Sequence, residues 1–98
     1  MANFTMHFTM NALSEPGSIQ YPLAVNHGIY TRIGAEGEPK PVWITGGPGA
    51  PIPAGGSGTV TTTGDASLTY TEYVAETQFD LIWFNVKVGT GTVISVDG

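Results

Sequence analysis

The sequence predicts an all-β protein, a single antiparallel β-sandwich or small barrel of about seven to eight short strands. Three observations carry that expectation. Apolar and polar residues alternate with period two in several short runs, as strands with one buried face require. Fourteen glycines and seven prolines punctuate the runs at turn-like spacing. No stretch shows the i, i+3, i+4 spacing of an amphipathic helix. At 98 residues the chain is long enough for one modest core, and the expected organisation is a single domain over residues 1–98.

Taken in order, Asn3 to Leu13 alternates strictly, with Phe4, Met6, Phe8, Met10 and Ala12 on one side and Thr5, His7, Thr9 and Asn11 on the other. Pro16-Gly17 then supplies a turn, proline presetting φ and glycine accepting the positive φ of the next position. Ile19 to Val25 is strand-like but contains Pro22, which removes a ladder donor and suits an edge. Gly28 to Ile33 and Val42 to Thr45 are short strands separated by the polar tip Gly34 to Pro41. Gly46 to Gly58 is a Pro/Gly loop that feeds the β-branched run Thr59 to Thr63, and Leu68 to Val74 alternates again. Gln78 to Val88 reads as the central strand, apolar on both faces: Phe79, Leu81 and Trp83 on one, Ile82, Phe84, Val86 and Val88 on the other. Either the Gly46 to Gly58 loop or another subunit would cover the second face. Gly89-Thr90-Gly91 is expected to be a hairpin connection into Thr92 to Val96. The expected core is Phe4, Met6, Phe8, Ile29, Val60, Tyr70, Leu81, Ile82, Phe84 and Val93.

Composition narrows the function classes. Hydrophobic residues make up 41% of the chain, which argues against disorder, and the formal net charge is -5. With Arg32, Lys40 and Lys87 as the sole cations there is no basic patch for phosphates, so no nucleic acid partner is expected. Zero cysteines remove disulfides, thiolate metal sites and cysteine nucleophiles together. No apolar run approaches the roughly 18 residues of a spanning helix, so no transmembrane segment is expected. No charged n-region precedes an apolar h-region, and the expected location is soluble and cytoplasmic where made, with release by a route lacking a signal peptide left open.

Chemical motifs are sparse. Gly55-Gly56-Ser57-Gly58 precedes a β-branched run and not a helix, so it reads as a turn in place of a phosphate cradle. His7 and His27 lack any HxH or HExxH spacing, and Glu36, Glu38, Asp65 and Asp97 form no calcium-loop pattern. The expectation is no catalytic residue, no metal and no cofactor. The aromatics carry more information, because amphipathic rings can stack on sugars or sit at a headgroup interface. The candidate ligand-binding residues are Tyr30, Trp43, Tyr73 and Trp83.

Three segments also carry a family resemblance: Asn26-His27-Gly28-Ile29-Tyr30, Ile52 to Val60, and Phe79 to Gly89. A small-residue turn entering a strand, followed later by an aromatic strand ending in glycine, resembles the aegerolysin-like and crystal-toxin-like β-sandwich proteins. Phe84-Asn85-Val86-Lys87-Val88-Gly89 stands where that family carries an aromatic-Asp-Cys-Pro-Trp-Gly stretch. The resemblance implies a sandwich that recognises lipid surfaces, in some cases with a pore-forming partner. The expected function is thus a non-enzymatic recognition domain that binds a lipid headgroup or glycan surface through loop aromatics, as a homo-oligomer. The alternatives are a self-assembling structural subunit of virion or appendage type, and an enzyme whose pocket gathers a histidine with an acid.

Overall fold

The computed structural model describes residues 2–98 and contains six antiparallel strands. They are β1 (Asn3–Met10), β2 (Gly28–Arg32), β3 (Lys40–Gly46), β4 (Ser57–Gly64), β5 (Gln78–Trp83) and β6 (Val86–Val96). The sheet closes into a barrel in the order β1-β4-β3-β2-β5-β6, with β6 pairing back onto β1. The meander β2-β3-β4 is flanked by β5 beside its first strand and β1 beside its last, so two Greek keys share three strands. Among the described residues no helix is long and apolar enough to cross a membrane.

Alternation decides what fills the barrel. Phe4, Met6, Phe8 and Met10 of β1 point inward with Ile29, Val42, Ile44, Val60, Phe79, Leu81, Val88 and Val93. So narrow a barrel is filled by side chains and leaves no lumen. Two connections close its ends. Residues 11–27 and 65–77 each link strands that lie on opposite sides of the ring. The first carries Ile19 and Leu23 into the core, where Leu23 exchanges both backbone hydrogen bonds with Ile52, at 2.9 and 2.8 Å. The second carries Tyr70 and Tyr73, whose rings pack on Phe4 with centroids 5.9 Å away.

Six strands replace the seven to eight expected from local pattern, for three physical reasons. Leu68 to Val74 is a succession of turns, and the alternation that suggested a strand buries Tyr70 and Tyr73 three residues apart. Ile19 to Val25 contributes a single isolated bridge, Leu23 to Ile52, because Pro22 leaves the segment short of donors. Most consequentially, Gln78 to Val88 is a hairpin and not one central strand. Trp83 pairs with Val86, and between them Phe84 and Asn85 adopt φ of 50° and 63°, the left-handed pair of a type I′ turn. Phe84, expected in the core, is 81% exposed at the tip. The other nine expected core residues are buried.

Gly89-Thr90-Gly91 lies inside β6 and not in a connection. Both glycines are set by packing: a Cβ at Gly89 would stand 2.4 Å from the Thr9 carbonyl oxygen, and one at Gly91 2.4 Å from the Phe79 ring. The Gly46 to Gly58 loop seats Ile52 on Leu23 over one end of the barrel, so it does not cover the outer face of β5.

Candidate functional site

The outer surface of the barrel divides by residue type. Around β1, β4 and β6 it presents Thr5, His7, Thr9, Thr59, Thr61, Thr63 and Thr92, with Ile94 and Val96 exposed toward the end of β6. Around β2 and β3 it presents the rings of Tyr30 and Trp43, and Trp83 at the end of β5 joins them while packing partly against the core. Tyr30 points outward because its neighbours Ile29 and Thr31 point in, and Trp43 does so between Val42 and Ile44. Strand register brings them together: Gly28 stands opposite Trp43, and Tyr30 lies between Pro41 and Ile82. The indole lies over Gly28, where an added Cβ would come within 2.8 Å of Nε1. Gly28 therefore makes room for the ring.

Ile82 explains why the β5 run is apolar on both sides. It is only 4% exposed, yet it stands outside the barrel core, as the floor of an exterior groove. That groove has a volume of about 380 Å³ and is lined by Tyr30, Pro39, Ile82, Trp83, Phe84 and Asn85. A second groove of about 410 Å³ continues past Tyr30 and Trp83 to Gly28, Pro41, Trp43 and Asp65. Each lies within the roughly 300–1,000 Å³ of small-ligand sites, and each is mainly apolar with a few polar groups at its margin.

Phe84 forms one wall of the first groove and meets Trp83 edge to face, with ring centroids 5.0 Å apart at 73°. Its backbone is unfavourable for an aromatic residue, since left-handed φ costs an L residue about 1–2 kcal/mol and type I′ turns prefer Asn or Gly. Burial does not offset that cost, because the side chain is largely in water. Asn85 beside it is a residue that tolerates left-handed φ.

Of the four aromatic candidates, Tyr30, Trp43 and Trp83 converge on this face, and they do so from strands and not from loops. Tyr73 stands apart, 2% exposed in the 65–77 plug with its hydroxyl 2.7 Å from Thr31 Oγ1. Burial raises its hydroxyl pKa above the ordinary tyrosine value, and its ring is closed to any surface ligand. Phe84 and Ile82, expected in the core, belong to the site, as do Pro39 and Asn85, which the sequence did not single out. The Asn at position 85 was the available signal, as a turn former inside an apolar run.

Beside the aromatic face, Asp80 on β5 is shared by two cations, with Arg32 Nη2 at 3.6 Å and Lys87 Nζ at 3.3 Å. A polar groove of about 390 Å³ opens there along β5 and β6. The histidines are apart and occupied. His7 Nδ1 is 3.1 Å from Thr59 Oγ1, and His27 Nδ1 accepts from the Ala24 amide at 3.0 Å. Asp65 accepts from the Ser67 hydroxyl and amide, and Asp97 from the hydroxyls of Ser95 and Thr5, which holds each carboxyl below its ordinary pKa. Among the described residues no three His, Cys, Asp or Glu side chains gather where they could hold a metal ion. What the face can do chemically is stack rings and donate hydrogen bonds at its margin. The chain matches no protein-family model and no curated protein.

Proposed function

We propose that this protein is a non-enzymatic recognition domain whose β2-β3-β5 face binds a glycan, stacking sugar rings on Tyr30, Trp43, Trp83 and Phe84. The single observation that carries this reading is Phe84, a bulky ring held in a left-handed turn and left in water at the wall of a groove. Backbone strain and exposed apolar surface are both unfavourable for the fold alone, and such features cluster where a ligand compensates them. Two ring-lined grooves that share Tyr30 and Trp83 suit a chain of rings better than a flat surface does.

A lipid headgroup surface is the second reading, favoured by the exposure of Phe84 and Val86 at one hairpin tip; it is also what the aegerolysin-like resemblance implies. The structural-subunit alternative loses one route. Each of the six strands has a partner strand on both sides, so among the described residues copies find no whole strand edge on which to extend the sheet. A homo-oligomer would instead cover the aromatic face.

Three measurements separate these readings. Glycan-array binding that is lost in Phe84→Ala and Trp43→Ala, with the thermal melt retained, is the expected result. Vesicle flotation without glycan binding would replace it with the lipid reading. A mass in solution above the monomer that falls in Phe84→Ala would assign the face to self-association. No binding on either platform by a monomer would refute the proposal.

A further inference from the structure

Resting on the glycan reading above, we infer that the aromatic face is one half of a longer site whose other half selects an acidic sugar, bearing a carboxylate or a sulfate. Tyr30 and Ile82 are register partners on the outer surface, and the next outward pair along the same two strands is Arg32 and Asp80. Lys87 stands opposite Ile82 on β6. The polar groove beside them is bordered by Gln78, Asp80, Lys87, Thr90 and Thr92. The apolar and polar grooves thus adjoin across the Ile82 and Lys87 pair.

Charge indicates the occupant. The chain holds three Lys and Arg residues in all, and two of them converge on one carboxylate here. Two positive charges and one negative leave a net of one positive, on a molecule whose formal charge is -5. The third cation, Lys40, is committed to Glu72 and to the Thr69 carbonyl. Neither cation at Asp80 is fully used. Arg32 meets it through one terminal nitrogen at the long limit of an ion pair, and its Nε is buried without a hydrogen-bond partner. The Lys87 side chain is 51% exposed. The half-exposed Lys87 ammonium at the groove, with the Arg32 guanidinium behind Asp80 adding positive charge, suits a carboxylate or a sulfate, while Gln78, Thr90 and Thr92 offer partners for hydroxyls. Glu36 and Glu38, at the tip between β2 and β3, are exposed to solvent that screens them. Asp80 holds the two cations together and limits the selectivity they can give.

The test is a tryptophan-fluorescence titration with three oligosaccharides of matched length and linkage: neutral, uronate-containing and sulfated. The expected result is about tenfold tighter binding of at least one acidic form at low salt, narrowing as salt rises. Lys87→Gln should bring the acidic-to-neutral affinity ratio close to one, and its exposed site leaves the fold intact; Arg32→Gln should move the ratio the same way. Comparing the uronate and sulfate arms identifies the group. Equal affinity for neutral and acidic forms overturns this inference and leaves the glycan reading standing, as does a ratio unchanged in Lys87→Gln. Binding of none of the three overturns both.

Discussion

Phe84 and Phe79 are five residues apart on one hairpin and have opposite roles. Phe79 is buried against Phe8, edge to face with centroids 6.0 Å apart, and its ring covers Gly91. Replacing Phe79 with Ala should cost about 3–5 kcal/mol, read from the denaturation midpoint. Phe84→Ala should cost less than about 1 kcal/mol, since it loses only an exposed ring contact and keeps the same strained turn. A loss as large as that of Phe79→Ala would place Phe84 in the core after all. Gly28 works at the same scale in the opposite sense. A Cβ there would push the half-exposed Trp43 indole aside. Gly28→Ala should therefore change indole fluorescence while the melting temperature falls little, and on the glycan reading proposed above it should weaken glycan binding. Phe84 was not legible as a turn residue, because an aromatic after Leu81-Ile82-Trp83 continues an apolar run and strand propensity alone cannot exclude it. The pattern of Phe4, Met6, Phe8 and Met10 was legible, because a period of two needs no knowledge of neighbours.

At the scale of elements, the 65–77 plug shows how an irregular segment is held in a barrel end. Lys40 on β3 donates to Glu72 Oε1 at 2.6 Å and to the Thr69 carbonyl. Its ammonium also lies over the Tyr70 and Tyr73 rings, 5.6 and 5.9 Å from their centroids. The hydrogen bond from Lys40 holds the Glu72 carboxyl below its ordinary value of 4.5. A carboxyl with a lowered folded pKa contributes stability that is complete above 4.5 and is lost as pH falls through the folded value. Lys40→Met should remove that step, so the melting temperatures of the two proteins should converge at acid pH. The effect is small because Glu72 is exposed, and parallel acid profiles would show that the pair contributes nothing. On the alkaline side, burial raises the Tyr73 and Tyr70 hydroxyls above 10.0. Their contribution is complete below 10.0 and is lost as pH rises through the raised folded values. In a Tyr21→Phe, Tyr30→Phe background, the tyrosinate absorbance of Tyr70 and Tyr73 should consequently appear together with unfolding. Leu68 to Val74 suggested a strand because Leu68, Tyr70, Glu72 and Val74 alternate with Thr69, Thr71 and Tyr73, which would put the two tyrosines on opposite faces. Only the barrel end they plug makes the segment a cap.

For the whole molecule, closure is the governing fact. β1 pairs with β4 and β6, and β2 with β5, so most of the ladder joins residues distant in the chain. Such topology predicts refolding in roughly milliseconds to seconds, slower than helical domains of this size. A stopped-flow refolding phase in microseconds would contradict it. By itself the sequence determined that the chain is all-β, through Phe4, Ile29, Val60 and Val93 which side of β1, β2, β4 and β6 faces inward, and that aromatic rings outnumber catalytic motifs. These follow from local alternation and from turn residues, which act over a few positions. The tertiary structure alone decided that the sheet closes and that Gln78 to Val88 reverses. It also decided that Tyr30, Trp43, Trp83 and Phe84 share one face while Tyr73 does not. The reason is that neighbours across a sheet are set by pairing between distant strands, and a two-residue period says which face a side chain takes but not what stands beside it.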